Sequence, residues 1–170
     1  FDSGTLRIDY FHTGDAKSEK VEIDKLYKYD AWAGSQINFI DQLNYGAYYH
    51  KIYDQKSGEL IYSKGFDSYF KEYQTSTPAI NGEVKQFHES AIVPFPNSKI
   101  IFTLEKRDKS GHLSEVFRTE VDPAKAITPT IDPEIKIYTS LDKKTLVEFD
   151  PDQAATFKDY LRAPDEGRAR

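Results

Sequence analysis

The chain has no cysteine and no methionine in its 170 residues. Lack of cysteine excludes disulfides, thiolate metal sites and a cysteine nucleophile. A chain of this length can bury a sizeable core without such staples. With no methionine at position 1, the numbering is expected to start inside a longer precursor, so a signal peptide would not be visible. No apolar run approaches the roughly 18 residues needed to span a membrane. Charge of a single sign is lacking too. The 23 basic and 28 acidic residues are intermixed, for a formal net charge of -5. No Lys/Arg stripe exists to neutralise phosphates, so nucleic acid is not an expected partner.

The usual catalytic signatures are also missing. The four histidines, His12, His50, His88 and His112, lie far apart in sequence. His88-Glu89 opens like the HExxH helix of zinc peptidases, but its fifth position is Ile92 and the run reads as strand. HExxH works because two imidazoles one helical turn apart share a face. There is no Gly-x-Ser-x-Gly elbow, and Ser68 has no identifiable base beside it. Paired carboxylates among Asp24, Asp30, Asp41 and Asp67 are not distinguished from ordinary surface acids. No phosphate loop, dinucleotide fingerprint or calcium loop occurs. No cofactor, metal or catalytic residue is expected in this chain.

What the chain does have is aromatic side chains, with 12 Tyr, 11 Phe and one Trp. Such residues suit strands and binding surfaces alike. Leu6, Ile8 and Tyr10 alternate along one strand, and Ile100, Phe102 and Leu104 along another. Tyr48 to Tyr53 is aromatic on both faces, as in a central strand. Lys-Ser-Gly-x-Leu occurs twice, at Lys56 to Leu60 and at Lys109 to Leu113, which predicts two hairpins with the same turn chemistry. Asp30 to Leu43 reads as irregular or short helix, and Thr75 to Gly82 as loop. These short strands, separated by Gly/Pro turns, predict an all-β fold. Its form is an antiparallel β-sandwich, immunoglobulin-like or jelly-roll-like, with a short C-terminal helix near Gln153 to Leu161. The expected division is a sandwich over residues 1–123 and a Pro-containing linker, extra strand and helix over 124–170.

The segment Tyr62 to Tyr73 holds five aromatics. It reads either as core where a loop crosses a sheet edge or as an aromatic patch for a peptide, sugar or partner domain. In that second reading Phe66 and Phe70 face inward while Tyr69 and Tyr73 face out. Trp32 and Tyr48 join Tyr69 and Tyr73 as candidate contacts for a partner or ligand.

Several phrases together resemble a known family. They are Leu6 to Gly14, Trp32-Ala33-Gly34-Ser35, Ile52-Tyr53-Asp54, Ser57 to Ser63 and Gly65 to Phe70, followed by Phe87 to Pro96 and Ile100 to Arg107. In order, over roughly Leu6 to Pro123, they are similar to the N-terminal domain of IgA-peptidase-like zinc metallopeptidases exported by gut anaerobes. The resemblance implies a non-catalytic β-sandwich ahead of a zincin domain, and none of the matching positions is catalytic in the family. It further implies an exported protein, periplasmic, cell-surface or secreted. The expected role is an accessory or pro-domain that packs against or positions its own downstream catalytic domain. The rival is a free-standing module that binds a glycan or a protein.

Overall fold

The computed structural model describes residues 1–129 and two short strands farther on, Lys136–Tyr138 and Leu146–Glu148. By compactness the chain divides into two units, Phe1–Pro129 and Thr130–Arg170. The first is an antiparallel β-sandwich. β1 (Thr5–Gly14), β2 (Glu19–Tyr29) and β5 (Lys85–Pro94) form a three-stranded sheet in the order β2-β1-β5. β3 (Tyr48–Asp54), β4 (Leu60–Phe66), β6 (Ile100–Arg107) and β7 (Leu113–Val121) form a four-stranded sheet in the order β4-β3-β6-β7. Every pairing within the two sheets is antiparallel. In an immunoglobulin sandwich the second strand sits between the first and the fifth. Here β1 takes that central place, so the three-stranded sheet departs from immunoglobulin order.

Side chains alternate across a pleated strand, so each inward row is legible as every second residue. Leu6, Ile8 and Tyr10 from β1 meet Tyr48 and Ile52 from β3 and Ile100, Phe102 and Leu104 from β6 in one buried cluster. Ala91 and Val93 from β5 complete it. The expected inward rows on β1 and β6 are therefore fully buried, and β3 is a central strand.

Tight turns close three hairpins with the same device. Asp54 Oδ1 accepts from the backbone N–H of Lys56 and Ser57, and Asp108 Oδ1 from those of Ser110 and His112. Asp15 Oδ1 does likewise for Lys17 and Ser18 between β1 and β2. An Asp side chain held this way mimics a backbone turn. Gly58 at φ 71° and Gly111 at φ 88° take the left-handed conformation that glycine adopts without penalty.

The aromatic segment differs from expectation. After β4 the chain forms two short helices, α1 (Tyr69–Tyr73) and α2 (Thr77–Ile80), not a strand-to-loop crossing followed by loop. Each has a serine N-cap. Ser68 Oγ accepts from Phe70 N–H, and Ser76 Oγ accepts from Ala79 N–H, with Pro78 in the first turn. Residues 30–47 carry no regular structure apart from bends. After β7, Ile127 bonds alongside β2: Lys28 N–H donates to Ile127 O and Ile127 N–H to Leu26 O.

In the second unit, β8 (Lys136–Tyr138) pairs antiparallel with β9 (Leu146–Glu148). β8 occupies the segment Ile135 to Tyr138 read as a strand. The expected helix at Gln153 to Leu161 lies outside the described residues.

Candidate functional site

Three features of the sandwich carry chemistry: a charged network inside it, the helix α1, and a cleft along β4.

The network is built from polar residues that continue the inward rows. His12 follows Tyr10 on β1, Glu19 precedes Val21 on β2, Glu89 precedes Ala91 on β5, and Lys106 follows Leu104 on β6. His12 is fully buried. Its Nδ1 lies 3.2 Å from Glu89 Oε2 and its Nε2 3.0 Å from Glu19 Oε2. A carboxylate at each ring nitrogen calls for a proton on both, so His12 is an imidazolium. Burial opposes that charge, but the bonds to Glu19 and Glu89 outweigh it and raise the His12 pKa. Glu19 accepts further from Tyr48 Oη at 2.8 Å and Lys106 Nζ at 2.5 Å. Burial pushes the Glu19 pKa up, yet the bonds from His12, Lys106 and Tyr48 hold it down at about 2. Glu89 is lowered in the same way, against desolvation, by His12 and by Ser68, whose Oγ donates to Glu89 Oε1 at 2.5 Å. Two carboxylates and two cations make the group neutral, as a buried ionic cluster must be to be tolerated.

A second histidine has the opposite fate. His50 is buried, stacked on Phe66 at 4.0 Å between ring centroids. Tyr10 Oη shares a 2.9 Å hydrogen bond with its Nε2. Burial dominates here and pushes His50 down to about 3, so it is neutral. Two histidines on facing strands thus hold opposite charge states, set by whether carboxylates flank the ring.

The groups of the network are turned toward one another. The carboxylates of Glu19 and Glu89 sit on opposite edges of the His12 ring, so they do not converge on one ion. No group of three His/Cys/Asp/Glu suited to a metal occurs among the described residues. Ser68 hydrogen-bonds to the carboxylate of Glu89, not to an imidazole. His88 points away from the core, its Nε2 3.1 Å from Asp24 Oδ2. Every buried side-chain polar atom among the described residues has a partner.

α1 places the expected contact residues at unequal depth. Phe70 is fully buried, stacked on His12 at 3.9 Å, and Phe66 is half-buried. Tyr69, one position before Phe70 on the helix, is 78 % exposed. Tyr73 is half-buried; its hydroxyl donates to Glu83 O at 2.7 Å and its ring lies 5.5 Å from Phe87. Tyr48 needs correction as a surface contact. It is fully buried, because it stands on the inward row of a central strand, and its hydroxyl is taken by Glu19.

Trp32 lines a cleft of about 650 Å³, together with Asn38, Gln42, Leu43, Tyr45 and Lys64. The cleft runs between residues 30–47 and the edge of β4. Although irregular, this loop is pinned along its length. Ser63 N–H donates to Phe39 O at 2.9 Å, and Tyr49 Oη to Asp41 Oδ2 at 2.5 Å. Arg107 donates to Gly46 O and Asn44 O, at 2.9 and 3.1 Å. The indole of Trp32 donates to Ser35 O at 2.9 Å and lies against Gly34, where a Cβ would come within 2.1 Å of the ring. A larger residue at 34 would have to displace the indole. Leu43 and Tyr45 remain 72 % and 75 % exposed on the rim.

Of the four expected contacts, only Tyr69 is largely exposed; Tyr73 and Trp32 are half-buried in separate places. Sequence reasoning weighed His12 and Glu89 only for a zinc site and passed over Glu19 and Lys106, although extending each inward row by one more pair of residues points to all four.

No curated protein matches the chain. Residues 1–118 match the family described as Peptidase M64 N-terminus. The match spans β1 to β6 and most of β7, including every residue of the charged network. The chain belongs to the Peptidase M64 N-terminus family, the N-terminal domain of IgA-peptidase-like metallopeptidases.

Proposed function

We propose that these residues form a non-catalytic accessory or pro-domain of an exported zinc metallopeptidase, one that packs against or positions the catalytic domain. The family match over residues 1–118 carries this reading, because it ties the sandwich to the N-terminal end of a peptidase. The geometry supports it. The ionisable groups inside the sandwich are paired with one another, whereas a general base needs an open path to the proton it removes. The exposed Tyr69, on a helix anchored from within by Ser68 and Phe70, is the kind of aromatic side chain that interfaces favour.

The test is an assay of the purified chain, with zinc supplied, for hydrolysis of unfolded protein substrates. No turnover is expected. The coding sequence of the precursor is then read for HExxH beyond these residues, and its presence is expected. Turnover by the chain alone, lost on Glu89→Gln, would refute the accessory role. A precursor without HExxH favours the second reading, a free-standing binding module, which the cleft beside Trp32 supports.

A further inference from the structure

We propose that the cleft between residues 30–47 and β4 holds an extended polypeptide segment bearing apolar side chains and a carboxylate. Four observations converge. The cleft, at about 650 Å³, falls within the roughly 300–1,000 Å³ of specific ligand sites. Its rim presents Leu43 and Tyr45, both largely exposed, on a loop longer than the roughly 12–15 residues at which structureless segments become uncommon and are usually functional. That loop is fixed by Arg107, Asp41, Gly34 and the backbone of Ser63, so its shape is set before any ligand arrives, which lowers the ordering cost of binding. The side chains of Asn38, Gln42 and Lys64 line the cleft with no hydrogen-bond or ionic partner among the described residues.

These open groups define the ligand. Asn38 and Gln42 each offer an amide donor and acceptor, the complement of a peptide backbone. Leu43 and Tyr45 offer contact for apolar side chains. The two charges in the lining are unequal. Asp41 is engaged, its carboxylate accepting from Tyr49 Oη and from Leu43 N–H, and it titrates below its usual range, mainly because of the Tyr49 bond. Lys64 is the charge without an ionic partner among the described residues, so a ligand carboxylate can pair with it directly, whereas Asp41 is already held by Tyr49 and Leu43. This goes beyond packing on a catalytic domain: it assigns the sandwich a polypeptide-binding site of its own.

Trp32 is the only tryptophan in the chain, so its fluorescence reports on this cleft alone. The whole chain is titrated with a blocked hexapeptide of alternating leucine and aspartate, with its leucine–lysine counterpart, and with maltohexaose. A saturable shift of Trp32 emission is expected with the acidic peptide, and binding about tenfold weaker or less with the basic one. Lys64→Glu, at an exposed position, should reverse that preference with an unchanged melting temperature. Tyr45→Ala should weaken both peptides without altering the preference. Absence of saturable change with either peptide, or the same preference in wild type and Lys64→Glu, would overturn the proposal. Saturation by maltohexaose alone would overturn it in favour of a sugar site. The titration needs no peptidase domain, so its failure leaves the accessory-domain reading to stand on its own tests.

Discussion

The interior of the sandwich and the loop beside it treat polar groups in opposite ways. Around His12, each charge faces a counter-charge at hydrogen-bond distance: Glu89 and Glu19 on the two ring nitrogens, Lys106 on Glu19. Along residues 30–47 the backbone is tied down, but the amides of Asn38 and Gln42 and the ammonium of Lys64 are left open toward the cleft. A closed network cannot engage a ligand without first being broken, and in a medium of low dielectric that is expensive. An open set on a fixed loop can engage one at little cost. The lesson is that the histidine- and glutamate-rich part of this domain is built as scaffold, and that the binding proposed for it falls to the less conspicuous loop. If so, substitutions in the network should act on stability, and substitutions at the cleft and at Tyr69 on association.

The largest effect should come from Phe70→Ala. Phe70 is fully buried against His12 and lies at the start of α1, so its loss combines a cavity with a weakened helix anchor. A loss of about 3–5 kcal/mol is expected in chemical denaturation. Phe66→Ala, at a half-buried position, should cost less. Equal losses would mean that the two ends of the segment are packed alike.

Glu89→Gln is next. It keeps the shape but removes one of the two carboxylates on His12, stranding part of a buried charge. About 3 kcal/mol is expected, the low end for breaking a buried pair because the Glu89 side chain retains slight solvent access. In a double-mutant cycle with His12→Gln the two penalties should overlap strongly. Simple additivity would show that the residues do not act as a unit.

The pH profile of stability sharpens the comparison further. His12 is raised above its ordinary 6.5, so its contribution is complete below that value and is lost as pH rises through the folded-state pKa. His50 is lowered to about 3, so the unfolded chain takes up a proton first and stability falls as pH drops from 6.5 toward 3. Glu19, at about 2, adds a loss as pH falls from its ordinary 4.5 toward 2. Stability should therefore peak near pH 6.5. His12→Gln should flatten the alkaline limb, and His50→Phe should relieve the acid limb between pH 6.5 and 4.5. Denaturant midpoints across pH 4 to 9 measure both. An alkaline limb that persists unchanged in His12→Gln would contradict the imidazolium assignment.

The smallest effect on stability should be at Tyr69. With most of its surface in water, Tyr69→Ser should change stability by no more than about 0.5 kcal/mol. A larger loss would place Tyr69 with the scaffold.

The sequence made the two-sheet architecture legible because β1 and β6 alternate cleanly, each with one apolar face, and β3 is aromatic on both faces, as a central strand is. The paired Lys-Ser-Gly turns marked their hairpins for a similar reason: each sets an Asp before a glycine at positive φ. The helix α1 was hidden by its aromatic content, since Tyr69, Phe70 and Tyr73 favour strands by propensity, and the Ser68 cap that overrides them is a single hydroxyl. The network was hidden for another reason. Histidine, glutamate and lysine are read as surface residues, and only the spatial meeting of Glu19, Glu89 and Lys106 around His12 makes their burial tolerable. Tyr48 shows the converse, an interface-prone residue drawn inward by the register of a central strand. Of the cleft only Trp32 was legible, because an irregular segment such as 30–47 gives no periodicity from which to place the other side chains.

The central proposal, that this sandwich serves a peptidase domain, is tested most directly by calorimetric titration of the chain into the separately produced HExxH-bearing domain expected in the same precursor. Saturable binding at one-to-one stoichiometry is expected, with Tyr69→Ser weakening it and the folded state of the chain unchanged. Absence of binding heat at any of several temperatures, together with independent elution of the two proteins on a sizing column, would contradict it.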